Sequence, residues 1–167
     1  MNVERTDFYL KSHLVKTAFD IDDKHIKAVE SLVRNSLEYK TLIGEKRQYE
    51  HENRCALLKD FDFSDKKTNL DLHHVIFLYS ICKAAYKCLL ETNKEAYVST
   101  FEAANKVMEW HNEGAFLYIF LSRSAHQLYH TGSYKFEMKD VKGNREAIHR
   151  TYYKYLTEEE KALVDGE

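Results

Sequence analysis

The sequence contains no proline and only five glycines among its 167 residues, which argues against a sandwich rich in tight turns and favours helices. Its three cysteines, Cys55, Cys82 and Cys88, form no CxxC pair. That spacing excludes a zinc ribbon or knuckle and predicts free thiols in a reducing compartment. No apolar run approaches the roughly 18 residues of a membrane-spanning helix, and the polar N-terminus is not typical of a signal peptide. We therefore expect a cytoplasmic protein with no membrane partner.

The chain also has little net charge. The formal charge is -2, so the overall charge does not indicate a nucleic-acid-binding protein. Any ligand must bind at a local site. Hydrophobic residues make up 44% and charged residues 31%, a balance typical of a folded chain. With no repeat, low-complexity tract or long linker, the sequence predicts one globular domain.

Apolar residues at helical spacing predict most of the secondary structure. One helix is expected after Thr6 and Asp7, running through Leu14 and Val15. A second is expected to begin at Asp22 or Asp23 and to stop at Gly44. Further helices are predicted from Leu78 to about residue 92, from the capping box Ser99–Glu102 to Trp110 with Gly114 as its stop, from a Ser122 or Ser124 cap to Gly132, and from Arg145 to Leu156 before an acidic tail.

One segment departs from the helical pattern. Two apolar stretches, residues 54–63 and 70–77, flank a polar, turn-like stretch at residues 64–69, which is typical of a β-hairpin. We therefore predict a mostly helical α+β protein. Within its single domain we distinguish an N-terminal helical region (1–49), a core with a helical insertion at about 78–112 (50–132), and a basic helix with an acidic tail (133–167).

Four of the nine histidines fall into two spaced pairs. His73 and His74 are adjacent in the second predicted strand. His126 and His130 lie four residues apart, which places both imidazoles on one face of a helix. Two imidazoles on one face can chelate a transition metal. Chance pairs are common among nine histidines, so ordinary core or surface histidines and a purely structural metal site both stay open as alternatives.

The residues Leu-Asp-Leu-His73-His74-Val-Ile, followed by Phe-Leu-Ser-Arg-Ser-Ala-His126-Gln-Leu-Tyr-His130, resemble the HNH endonucleases, also called ββα-metal nucleases. The resemblance covers roughly residues 50–132. It implies that His73, His126 and His130 bind one divalent metal ion (Zn, Ni, Mn, Co or Mg) and that His74 is the general base. The implied activity is hydrolysis of phosphodiester bonds, with DNA favoured over RNA as substrate. The HNH family is common in phages, so the host cytoplasm is the implied location.

Two further residues could support such a site. Asp71 alternates with His73 along the strand and could orient it, although an exposed strand aspartate is the plainer interpretation. HNH nucleases usually have an asparagine, the N of their name, at the position that Leu117 occupies here. Asn112 is the nearest residue that could replace it. His111 is expected simply to end a helix.

Positive charge is concentrated after the second histidine pair. Residues 123–154 contain seven lysines and arginines against three acidic residues. Such a stretch could hold a phosphate backbone, or it could be a mixed, solvated helix. The candidate phosphate-binding residues are Arg123, Lys135, Lys139, Arg145 and Arg150.

Two alternatives to an active nuclease remain. One is a non-enzymatic interaction protein, also compatible with a phage source, whose histidines are structural. The other is a degenerate HNH protein that binds DNA without cutting it, which the missing asparagine would explain. The sequence does not choose among these, and it leaves the target and the oligomeric state open.

Overall fold

A computed structural model of the chain describes residues 14–15, 21–50, 55–57, 70–93, 97–130 and 135–167. Seven α-helices lie within these ranges: α1 (Asp23–Asn35), α2 (Leu37–Tyr49), α3 (Leu78–Thr92), α4 (Thr100–Asn112), α5 (Arg123–His130), α6 (Arg145–Thr151) and α7 (Glu158–Asp165). The strands in the same ranges are β1 (Leu14–Val15), β2 (Asp71–His74), β3 (Val98–Ser99), β4 (Leu117–Leu121) and β5 (Lys142–Gly143). The predicted class, a mostly helical α+β protein, is confirmed.

The larger sheet is antiparallel, with strand order β2-β4-β5. His73 lies opposite Ile119 and His74 opposite Tyr118. The chain between β2 and β4 forms α3 and α4, so the two predicted helices interrupt what would otherwise be a hairpin. A second, two-stranded sheet joins β1 to β3.

The prediction that residues 54–63 form a strand paired with β2 is wrong for the three residues that the structure describes there. Residues 55–57 form no strand, although Ala56 N–H donates to Phe120 O at 2.9 Å, and residues 58–69 lie outside the described residues. The strand expected over 70–77 is shorter and pairs with Leu117–Leu121 instead. Every residue of β4 (Leu117–Leu121) is buried, which is typical of a central strand covered on both faces.

Three other boundaries differ from the sequence prediction. Leu14 and Val15 are a strand paired with β3 rather than part of a helix. The predicted single helix is interrupted at Ser36, whose hydroxyl accepts the Tyr39 N–H and starts α2. Helix α2 then continues through Gly44. The last predicted helix ends at Thr151, is followed by a 3₁₀ turn, and gives way to α7 where an acidic tail was expected.

Local capping chemistry is confirmed at three helix starts. The Asp22 carboxylate accepts the His25 N–H at 3.0 Å. Ser99 and Glu102 exchange both hydrogen bonds of a capping box at α4. The Ser122 hydroxyl accepts the Ala125 N–H at 3.2 Å and begins α5. Each interaction satisfies backbone donors that a helix N-terminus leaves unpaired.

The helices cover both faces of the larger sheet. Helix α2 packs on β2 at one face, and α5 packs on β2 and β4 at the other. Helices α1, α3 and α4 pack on one another and build most of the apolar core. The predicted N-terminal region therefore contacts the predicted insertion, while the three-part division itself stays a prediction. No helix among the described residues is long and apolar enough to cross a membrane.

Gly143 closes the sheet where β5 meets β4. Its φ is +123°, and a Cβ there would lie 2.0 Å from the Phe116 carbonyl oxygen. We expect Gly143→Ala to lower the free energy of unfolding by about 1 to 3 kcal/mol, measured by urea denaturation. Alanine is strained at this positive φ, and its Cβ would clash with the Phe116 carbonyl oxygen.

The matched control for that substitution is Gly44→Ala. Gly44 is exposed inside α2, and a Cβ there would meet nothing within 4 Å. The control should raise stability by roughly 0.5 to 1 kcal/mol, because alanine favours a helix over glycine. Equal effects of the two substitutions would contradict the strain assigned to Gly143.

Candidate functional site

The two adjacent histidines of β2 lie on opposite faces of the sheet. Successive side chains of a strand alternate, so His73 shares a face with Ile119 and His74 shares the other with Tyr118. Both histidines are buried, each with 6% of its surface exposed. They therefore belong to two separate clusters.

His73 meets His126 across the face covered by α5. The Nδ1 atom of His73 is 3.1 Å from Nε2 of His126, and the two rings are edge to face with centroids 5.0 Å apart. The Ser122 cap starts α5 directly after β4, so the helix returns over the sheet and brings His126 onto β2. The fold thus joins one histidine from each pair, 53 positions apart in the chain.

Asp71 lies behind His126 rather than behind His73. Its Oδ2 is 3.5 Å from the outer ring nitrogen, Nδ1, of His126, and its Oδ1 is 3.7 Å from the guanidinium of Arg47. Arg47 is fixed by a 2.9 Å hydrogen bond from its Nε to the Leu70 carbonyl oxygen. The carboxylate favours a proton on Nδ1 of His126, which directs the lone pair of Nε2 towards His73.

Two aromatic rings, one half-buried and one exposed, lie against His73 in this cluster. The Tyr129 ring lies 4.6 Å and the Phe77 ring 6.0 Å from the His73 ring, each edge to face. Burial raises the pKa of the Tyr129 phenol. On the polar side, 29% of the His126 side chain and 27% of the Asp71 side chain are exposed. The cluster is therefore half-buried, with its polar edge at the surface.

His74 forms the second cluster with His111 of α4. Their Nε2 atoms are 3.0 Å apart, and Nδ1 of His111 donates to the Val107 carbonyl oxygen at 2.9 Å. The Val107 bond fixes the His111 proton on Nδ1, so Nε2 of His111 accepts the Nε2–H of His74. Phe116 stacks against both rings, and Tyr39 lies on the other side of His74.

Burial keeps both of these imidazoles neutral. It lowers the pKa of His111 to about 4, with the nearby Arg34 charge acting in the same direction. Burial is also the main cause that holds the pKa of His74 well below its ordinary value. A neutral, enclosed pair with fixed hydrogen bonds is typical of a structural contact in a protein core.

The resemblance to HNH nucleases implies one site that contains all four motif histidines. The structure brings His73, His126 and Asp71 together and leaves His74 on the other face of the sheet. The side chain of His130 lies outside the described part of the chain. Among the described residues, no three or more His, Cys, Asp or Glu side chains form a group that could hold a metal ion. The metal and general-base roles stay predictions.

The other candidate residues are spread over the surface. The Asn112 amide donates to Glu38 at the end of α4, away from the His73–His126 cluster. Arg123, Lys135 and Arg150 are exposed, Arg145 is half-buried, and Lys139 pairs with Glu137 at 3.0 Å. The described contacts do not join these residues into one binding surface.

Sequence reasoning missed two residues that organise the clusters. Arg47 lies beyond Gly44, where the second helix was expected to stop, and its contact with Asp71 spans 24 positions of the chain. His111 was expected to end a helix but is 1% exposed and bonded to His74. The helical spacing of Val107, Trp110 and His111 on the buried face of α4 is the signal that could have indicated it.

Comparison with known proteins places the chain in a phage context. Residues 1–166 match the family described as Bacteriophage G278-like virion protein. No curated protein and no solved structure matches the chain.

Proposed function

Because the chain belongs to the bacteriophage G278-like virion protein family, we propose that it is a non-enzymatic component of the phage particle that acts by binding other virion proteins. The match over residues 1–166 carries this proposal, since it covers nearly the whole chain rather than a single motif. On this proposal the chain is made in the host cytoplasm and is then assembled into the particle.

The His74 contacts support a non-enzymatic role. A general base needs a ring nitrogen that can reach a water molecule beside the metal. The Nε2 atom of His74 is instead hydrogen-bonded to His111 in the core, on the side of the sheet away from His73 and His126. The histidine proposed as base therefore has a sufficient structural explanation.

A metal-dependent endonuclease is the second candidate. The chain order β2, β4, α5 is strand, strand, helix, and the 3.1 Å contact joins a strand histidine to a helix histidine. A nuclease would need His74 to leave His111 and reach the opposite face of the sheet. A protein that binds DNA without cutting it would need only the exposed lysines and arginines and would not need a general base.

Virion assembly is tested with particles of the phage that encodes the chain, purified by density gradient. We expect mass spectrometry to find the protein in the particles at a constant copy number that survives a high-salt wash. A protein abundant in infected cells but absent from washed particles would overturn the proposal.

Catalysis is tested by plasmid nicking with the purified chain in Mg, Mn, Ni, Co and Zn, beside His74→Gln and His126→Gln. The proposal predicts no cleavage above the level of the two variants. Metal-dependent nicking that both variants lose while remaining folded by circular dichroism would favour the endonuclease. DNA retardation without nicking would favour the DNA-binding alternative.

A further inference from the structure

We propose that the outward face of α2 binds the same face of a second copy of this chain, with the two helices side by side and parallel. The face is centred on four residues that we call the α2 seam: Leu37, Thr41, Gly44 and Gln48. The proposal rests on the virion role and deepens it, because it names one binding partner and the surface that binds it.

Helix α2 packs on the rest of the chain with one side only. Tyr39 is buried on that side, and Leu42 and Ile43 are half-buried against the core. Leu37 precedes Tyr39 by two residues, so it points about 200° away around the helix. Its exposed fraction is 80%, the highest among the exposed large hydrophobic side chains of the described residues. A single exposed leucine is ordinary, so its neighbours decide what it indicates.

The neighbours of Leu37 form a continuous uncharged strip. The seam residues follow one another in steps of four, three and four, which places them on one side of the helix. All four are exposed, and a Cβ at Gly44 would meet nothing within 4 Å. Alternating steps of three and four are the spacing of the a and d positions in a coiled coil. The seam therefore has the form of a helix–helix contact surface.

Opposite charges line the two sides of the seam. With Leu37 and Gly44 at d positions, Lys40 occupies a g position and Glu45 an e position. In a parallel pair, a g side chain faces an e side chain of the other helix, so Lys40 lies opposite the partner's Glu45. Two-fold symmetry forms this ion pair twice. An antiparallel pair would bring like charges together, so the order of the charges selects the parallel arrangement.

The two charges that would pair between copies are not used within the described part of the chain. Three other charged side chains of α2 have partners there: Glu38 accepts the Asn112 amide, Lys46 pairs with Glu50, and Arg47 donates to the Leu70 carbonyl oxygen. Lys40 and Glu45 are exposed, and neither has an ion-pair partner among the described residues. Charge complementarity therefore favours a second copy as the occupant of this face.

The length of α2 sets the strength of the contact. A helix of 13 residues is about 20 Å long, so the interface lies below the roughly 1,200 Å² of a stable complex. We expect a dissociation constant on the order of 100 µM for the free chain. Copies held together in a particle would raise the effective concentration and strengthen the contact.

Sedimentation equilibrium of the purified full chain tests the contact, in reducing buffer at concentrations up to about 1 mM. We expect a monomer–dimer equilibrium that weakens in high salt, because salt screens exposed ion pairs. Leu37→Asp should weaken the association at least tenfold. Phe101→Ala is the matched control and should leave it unchanged, because Phe101 is another exposed apolar side chain but lies on α4.

Charge reversal tests the parallel arrangement. Lys40→Glu and Glu45→Lys should each weaken the association about tenfold, and the double variant should restore it, because the two charges then exchange places. Both residues are exposed, so the variants are expected to keep the parent circular dichroism spectrum. Stronger association of Lys40→Glu than of the parent would overturn the parallel arrangement.

Two results would overturn the second copy as the partner: a parent chain that stays monomeric at about 1 mM, or a Leu37→Asp variant that associates as the parent does. If the parent is monomeric but Leu37→Asp is lost from particles, α2 binds a different virion protein instead. Absence of the parent chain from washed particles would overturn the virion role, whereas sedimentation alone decides the contact between copies. The two failures are therefore distinguishable.

Discussion

We expect Phe116→Ala to lower the free energy of unfolding by about 3 to 5 kcal/mol, the range for removing a large aromatic side chain from a packed core. Phe116 is fully buried just before β4. Its ring stacks on His111 at 4.5 Å, on Tyr118 at 5.0 Å and on His74 at 5.3 Å. Alanine would remove all three contacts at once, and the surrounding rings are held by hydrogen bonds that limit collapse into the cavity.

Phe101→Ala is the matched control for that experiment. The same side chain is removed, but Phe101 lies in the first turn of α4 with 63% of its surface exposed. The expected change is within about 0.5 kcal/mol. Urea denaturation at neutral pH measures both variants. A loss for Phe101→Ala as large as that for Phe116→Ala would mean that the core is not centred on this ring.

Local chemistry explains why much of this fold could be predicted from the sequence. The caps at Asp22, Ser99 and Ser122 depend on side chains within three residues of the backbone groups they satisfy. Apolar spacing then predicts the helices those caps begin. Ser36 was missed because a serine between two helical stretches reads as part of one helix, and Gly44 was misread because an exposed glycine is tolerated inside a helix.

The strand pairing could not be predicted in the same way. The partner of β2 is a run more than 40 residues away, brought close only when α3 and α4 fold between them. The nearer stretch, residues 54–63, had a similar apolar pattern, and pattern alone cannot rank the two. Strand pairing depends on tertiary packing, which the local sequence does not encode.

The candidate site was predicted in part for the same reason. The link between His73 and His126 came from a motif resemblance, and the fold does bring these two together. The separation of His73 from His74 was available from strand alternation, since adjacent residues of β2 cannot share a face. The His74–His111 contact spans 37 positions and required the placement of α4 against the sheet.

Acid is expected to destabilise the protein through that contact. The pKa of His111 is about 4 in the folded chain and about 6.5 in an unfolded one. The unfolded state therefore binds more protons between these values. The stabilisation is complete above pH 6.5, is lost as the pH falls towards 4, and totals about 3 kcal/mol for His111.

Calorimetry or urea denaturation from pH 7.5 to pH 4.5 measures this loss. The window isolates the histidines, because the carboxyl pKa values that the fold perturbs, at Asp22, Asp23 and Glu50, are lowered from ordinary values of 4.5 or less. Burial lowers the pKa of His74 as well, so the two histidines act in the same direction.

His111→Gln identifies the contribution of this residue. Glutamine keeps a polar group near Val107 and His74 but does not titrate, so the variant should be less stable at pH 7.5 and lose less stability on acidification. If the free energy of unfolding of His111→Gln falls with pH as steeply as that of the parent, other histidines cause the acid sensitivity. A reduced slope would show that one buried hydrogen bond between neutral imidazoles, formed only when helix and sheet meet, links the stability of this virion-family protein to pH.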